Sequence, residues 1–207
     1  MNIILLHGQG RTTFAMKLLG FRLQRLGYQV RYFRYYTRRE KFTDIVQRLI
    51  DAVCSLPRDE PFALVGHSMG GVIARASLPS LSHAPVHLIL LASPSRPPKM
   101  GPLARRNPLY TYLTYECGQL VTSAAFYESL PKPAVPVTVI AGTGGPRGRW
   151  FPLGQETNDS VLTVQETSLE SAREMILVPA LHTFIMNSRE ALGHIDRILK
   201  QAHLQAG

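Results

Sequence analysis

The run Pro61-Phe62-Ala63-Leu64-Val65-Gly66-His67-Ser68-Met69-Gly70-Gly71-Val72-Ile73-Ala74-Arg75-Ala76 passes from an apolar segment of strand length, through a glycine-bearing corner, into good helix formers. Pro79 stands where such a helix would end. The corner, Gly66-His67-Ser68-Met69-Gly70, has the G-x-S-x-G spacing that presents a serine on a sharp strand-to-helix turn. The glycines have a steric role, because a serine held in a strained turn needs neighbours without β-carbons. Such a turn lifts the Ser68 hydroxyl above the edge of a sheet. It also leaves the Met69 amide at a helix N-terminus, where it can stabilise an oxyanion. The same five residues also fit an ordinary strand–turn–helix with a chance serine, so the flanking chain has to decide between the two.

Outward from this corner, strand and helix patterns alternate. Asn2–Leu6 reads as a strand, and roughly Thr12–Leu26 reads as a helix ending at Gly27. Tyr28–Tyr35 alternates and is rich in aromatics, as a second strand would be. Phe42–Ser55 repeats apolar residues at helical spacing: Phe42, Ile45, Val46, Leu49, Ile50 and Val53. Val86–Leu91, Pro136–Ala141 and Met175–Pro179 supply further strands beyond Phe62–Val65. Arg189 to His203 closes the chain as an amphipathic helix. Six short strands with helices between them predict an α/β fold, a mostly parallel sheet covered by helices on both faces. The length of 207 residues suits a single domain, 1–207. Ser93–Cys117, rich in Pro, Arg and Tyr, breaks the rhythm. It reads as a small cap or excursion at the carboxyl ends of the strands, or as a long surface loop.

Hydrophobic residues at 45% with 18% charged are ordinary globular values and argue against disorder. No apolar run reaches the roughly 20 residues of a spanning helix. The first residues, Met1-Asn2-Ile3-Ile4-Leu5-Leu6-His7, lack the basic leader and cleavage site of a signal peptide. Cys54 and Cys117 have no disulfide or metal-type spacing, and a cytoplasmic location is expected. The net charge of +9 is the compositional oddity. Seven basic residues lie between Arg22 and Lys41 against one acid, Glu40, and a second basic cluster comprises Arg96, Lys99, Arg105 and Arg106. Such clusters suit an anionic membrane surface or are plain solvated surface. No nucleic-acid motif accompanies them, and no nucleic-acid partner is expected.

A serine hydroxyl needs a general base and a group that orients that base. His83 and His87 come too early after Ser68, and His194 and His203 fall in the terminal helix. His182, in Val178-Pro179-Ala180-Leu181-His182-Thr183-Phe184, follows the last strand and is the expected base. Asp159, in Thr157-Asn158-Asp159-Ser160-Val161, is the expected orienting acid, with Glu156 the alternative. Asp159 would otherwise serve as a simple cap. In Leu6-His7-Gly8-Gln9-Gly10, the Gln9 backbone amide is the expected partner of the Met69 amide in an oxyanion hole. The glycines there do not extend to a full dinucleotide pattern.

Taken in order, Leu5-Leu6-His7-Gly8-Gln9-Gly10, Gly66-His67-Ser68-Met69-Gly70-Gly71, Asn158-Asp159-Ser160-Val161 and His182 resemble the α/β-hydrolase superfamily, and within it small lipase- or esterase-like members. The resemblance implies a minimal α/β-hydrolase fold with sheet order 2-1-3-4-5-6. It implies a serine hydrolase of carboxylic esters with Ser68, Asp159 and His182 as triad and no metal or organic cofactor. Thioester cleavage, acyl transfer and a non-catalytic binding module remain alternatives. One departure is Asp159-Ser160, where Asp-Gly is common. The expected partner is a small-molecule or lipid ester, with peripheral contact to an anionic membrane open. Leu103, Leu109 and Tyr112 of the irregular segment are candidate pocket residues. If that segment meets substrate, its basic residues favour an esterase, a lysophospholipase or a thioesterase, in that order. The oligomeric state is not readable.

Overall fold

The computed structural model describes residues 1–206, with the side chains of Leu109, Tyr110, Thr111, Leu113 and Ala206 left undescribed. Six strands form one sheet: β1 (Asn2–Leu6), β2 (Gln29–Phe33), β3 (Phe62–His67), β4 (His87–Leu91), β5 (Val137–Gly142) and β6 (Glu174–Val178). Their order is β2-β1-β3-β4-β5-β6 and every pair is parallel. Among the described residues eight α-helices accompany them: α1 (Lys17–Arg25), α2 (Phe42–Cys54), α3 (Met69–Ser77), α4 (Gly101–Arg105), α5 (Pro108–Leu120), α6 (Ala124–Ser129), α7 (Val164–Thr167) and α8 (Arg189–Ala206).

Side chains alternate across a strand, so consecutive residues of β1 enter different cores. Ile3 and Leu5 pack with Leu19 and Leu23 of α1 and Ile195 and Leu199 of α8. Ile4 and Leu6 pack with Ile45, Leu49 and Val53 of α2 and Val72 and Ile73 of α3. The sheet is thus covered on both faces. This is why β1, β3, β4 and β5 are buried throughout and read as continuous apolar runs. The edge strands β2 and β6 are partly exposed.

Two expectations shift. The second strand stops at Phe33, before Tyr35. Tyr35 leaves the ladder because its ring stacks on His7 at 4.0 Å and its hydroxyl donates to the His7 carbonyl. Ser93–Cys117, expected to be irregular, carries α4 and most of α5, and α6 follows it before β5. Pro102 and Pro108 fall in the first turns of α4 and α5, where a missing N–H costs nothing. α5 is interrupted at Tyr115, whose φ of 47° and ψ of −142° are not helical. Among the described residues no helix is long and apolar enough to cross a membrane.

Candidate active site

β3 ends at His67 and α3 begins at Met69, leaving Ser68 alone at the corner with φ 52° and ψ −121°. The positive φ costs a non-glycine residue on the order of 1–3 kcal/mol, so the surroundings must hold it. The Ser68 N–H donates to the Leu91 carbonyl at 2.9 Å, and its own carbonyl accepts from the Gly71 N–H at 3.0 Å and from the Ser93 hydroxyl at 2.9 Å. The flanking glycines permit the close approach. A β-carbon at Gly66 would stand 2.4 Å from the Gly71 nitrogen, and one at Gly70 would stand 2.6 Å from the Leu6 and His7 carbonyl oxygens. These obstructions are backbone, which cannot give way.

The loops after β5 and β6 bring the partners to this corner. His182 Nε2 lies 3.1 Å from Ser68 Oγ, and His182 Nδ1 lies 2.8 Å from Asp159 Oδ2. The His182 N–H donates to the Asp159 carbonyl at 2.7 Å, locking the two loops together. Asp159 is 1% exposed. Its other carboxylate oxygen accepts from the Val161 and Leu162 N–H groups at 2.9 and 2.7 Å. Such bonds to a carboxylate oxygen fix the Asp159 side chain beside the imidazole. Ser160 takes φ 85°, a conformation that favours glycine, and the Asn158 carboxamide steadies it by accepting the Ser160 N–H at 2.8 Å. Glu156, the alternative acid, is paired with Lys99 on the surface instead. That pairing also takes Lys99 out of the basic cluster expected around residues 96–106.

Gln9 and Met69 both border a cavity of about 330 Å³ beside Ser68 and His182. The Gln9 side-chain amide nitrogen is buried near Gly118 with no hydrogen-bond partner among the described residues. The cavity walls include Pro98, Met100, Ala104, Val121 and Leu162, and among the described residues its one titratable lining side chain is that of His182. Of the three pocket candidates from the sequence, Leu103 and Tyr112 are 53% and 69% exposed and do not line this cavity. The Leu109 side chain lies outside the described residues. On α4, Ala104 lines the cavity while its neighbour Leu103 is exposed, since adjacent residues on a helix face different ways.

His67, whose sequence position says only that it precedes the serine, is fully buried. Its Nε2–H donates to the His182 carbonyl at 2.9 Å, and the two rings stand 5.0 Å apart. Burial, and next the neighbouring His182, hold its pKa well below the ordinary histidine range, so it remains neutral. No periodicity or spacing marks such a residue, because its role comes from a contact with the loop after β6. Ser93 and Thr37, which accepts the Gly10 N–H at 3.2 Å, were equally silent in the sequence.

The alpha/beta hydrolase family model matches residues 3–204. The chain belongs to the alpha/beta hydrolase family. Several solved structures share the fold of this alpha/beta hydrolase at low sequence identity. The mature lipase BlEst2 of Bacillus licheniformis is 16% identical with a TM-score of 0.77, covering 96% of this chain and 91% of its own. Polyneuridine aldehyde esterase is 15% identical with a TM-score of 0.62, over 95% and 98% of the two chains. The RedJ thioesterase of the prodiginine pathway in Streptomyces coelicolor is 17% identical with a TM-score of 0.65, over 94% and 88%. No curated protein matches the sequence.

Proposed function

We propose that this alpha/beta hydrolase is a serine hydrolase that cleaves carboxylic esters through an acyl-enzyme. The observation that carries the proposal is the hydrogen-bonded series from Ser68 Oγ to His182 Nε2 at 3.1 Å and from His182 Nδ1 to Asp159 Oδ2 at 2.8 Å. His182 takes the Ser68 proton as the hydroxyl attacks the carbonyl carbon, and Asp159 stabilises the imidazolium that forms. The Gln9 and Met69 amides, both at the edge of the cavity, receive the oxyanion. His182 then protonates the leaving alcohol, and water attacks the acyl-enzyme with the same histidine as base. The enzyme acts as one domain over residues 1–207, with residues 93–117 as a small cap and the cytoplasm as its location. The cavity is at the small end of ligand sites and apolar, which suits an uncharged acyl group of modest length. A thioester would enter the same site by the same steps, and the structural likeness to a thioesterase keeps that substrate class in view.

Labelling with a fluorophosphonate probe, followed by peptide mapping, tests the assignment. Modification is expected at Ser68 and absent in Ser68→Ala, with turnover of acyl esters reduced by ~10³-fold or more. A folded Ser68→Ala protein with undiminished turnover overturns the mechanism. A folded wild-type protein that neither labels nor hydrolyses esters is a binding module.

A further inference from the structure

A second hollow, of about 370 Å³, adjoins the apolar cavity and is lined by arginines. It is bounded by Gly10, Arg11, Tyr36, Thr37, Arg38 and Arg39, with Thr12 completing the rim. Gly10 lines both spaces, so they meet at the loop that carries Gln9. The Gly10 N–H donates to Thr37 Oγ1 at 3.2 Å, which ties the arginine-bearing loop after β2 to the loop after β1. The arginine loop also reaches the helices between β4 and β5, where the Arg38 guanidinium stands 5.4 Å from the centre of the Tyr112 ring.

Three arginines and, among the described residues, no acidic residue line this hollow. Among the described residues, none of the three enters an ion pair. The adjacent acid, Glu40, is already committed: one oxygen accepts the Tyr36 N–H at 2.6 Å and the other engages Arg48. Like charges gathered in a concavity raise the local potential and favour an anion that can neutralise them. Guanidinium presents paired N–H donors in a planar fork that matches the oxygens of a phosphate. The apolar cavity, in contrast, has no arginine, lysine or acidic residue among its described lining residues.

We propose that this hollow is a subsite for a phosphate-bearing leaving group, so that the preferred substrate is an acyl ester or thioester of a phosphorylated alcohol or thiol. The acyl chain occupies the apolar cavity, the carbonyl lies at Ser68, and the phosphate sits among Arg11, Arg38 and Arg39. The proposal rests on the serine hydrolase reading and gives that site its substrate class. The chemistry is unchanged. A bond forms from Ser68 Oγ to the acyl carbon as the bond to the leaving oxygen or sulfur breaks. The leaving atom takes the proton held by His182, and water releases the carboxylic acid and restores Ser68. The phosphate binds and is not itself cleaved.

The test compares matched pairs that differ only in phosphate. One pair is octanoylglycerol and octanoylglycerol phosphate; the other is octanoyl-pantetheine and octanoyl-4′-phosphopantetheine. All are used as monomers with wild-type protein, Arg38→Ala/Arg39→Ala and Arg38→Lys/Arg39→Lys. In wild-type protein kcat/KM is expected to be roughly 10-fold or more higher for the phosphorylated member, through KM, with the advantage shrinking as salt rises. In the double alanine variant that ratio falls toward one, and the lysine variant restores part of it. The pair that shows the gain identifies an alcohol or a thiol as the leaving group. A ratio near one in both pairs, or a gain that survives the alanine variant, overturns the subsite while the uncharged esters are still cleaved. If the arginines matter only when octanoylglycerol is presented in phosphatidylglycerol vesicles, the loop reads a membrane surface and the subsite is overturned. Failure of every ester, with no fluorophosphonate labelling of Ser68, removes the hydrolase reading and the subsite with it.

Discussion

Ser160 follows Asp159 with φ 85°, a left-handed conformation that a β-carbon makes costly. The departure from an Asp-Gly turn, visible in the sequence, is a departure in side chain and not in backbone. The turn retains its shape because Asn158 accepts the Ser160 N–H and Asp159 accepts those of Val161 and Leu162. Ser160→Gly should therefore relieve strain that outweighs the extra freedom of the unfolded chain, for a net gain of up to about 1 kcal/mol. A thermal melt checks this, and a lower Tm for the variant contradicts it. Ser68 carries the same kind of strain, yet there the conformation aims the hydroxyl at His182. Stored strain is most informative at such residues, since a corner held against its own preference by surrounding backbone is pre-organised. At this scale the sequence showed the serine, the histidine and the aspartate by type and order. It showed nothing of His67, whose part depends on a carbonyl more than a hundred positions away in the chain.

α4 decides how much room the cavity has. Met100 and Gly101 begin it and Ala104 faces inward, so a larger residue at Ala104 fills space without touching Ser68, His182 or Asp159. Ala104→Phe should shift the acyl-length preference toward shorter chains, with kcat/KM for long acyl esters falling about 10-fold and short ones least affected. A chain-length series on matched esters reads this, and an unchanged profile would place the acyl group elsewhere. α4 and α5 were hidden in the sequence because proline, read as a helix breaker, here begins the helices. α2, in contrast, was legible within one residue at its end, since its buried Phe42, Ile45, Leu49 and Val53 keep helical spacing. α8 begins at the expected Arg189 for the same reason, but runs to Ala206, past the expected end at His203.

Across the whole molecule, burial of histidines sets an acid limit on stability. His87, at the start of β4, is buried against Thr138 and its pKa is pushed down to about 4 by burial, and next by Arg173. Its ordinary value is 6.5. Between those values the unfolded chain binds a proton that the folded protein does not, so stability falls as pH drops through that window and is unaffected above it. His7 and His67 are lowered by burial as well and act in the same direction. His87 alone should cost about 1–2 kcal/mol by about pH 5. Thermal melts at about pH 7.5 and about pH 5 measure the loss, and His87→Gln should make the difference smaller. A Tm that does not move between the two, or a variant with the full wild-type difference, contradicts the assignment.

The sequence by itself determined the parallel sheet, its covered faces and the order of the candidate site residues. Those depend on local periodicity and on the short-range sterics of glycine and proline, which travel with the chain. The tertiary structure alone decided which acid meets the histidine, with Asp159 turned inward and Glu156 held outside by Lys99. It alone set the apolar cavity against a hollow of three arginines, joined at Gly10. Those arrangements come from loops after separate strands converging at one edge of the sheet. Distances between residues far apart in the chain are fixed only when the sheet twists and its helices pack.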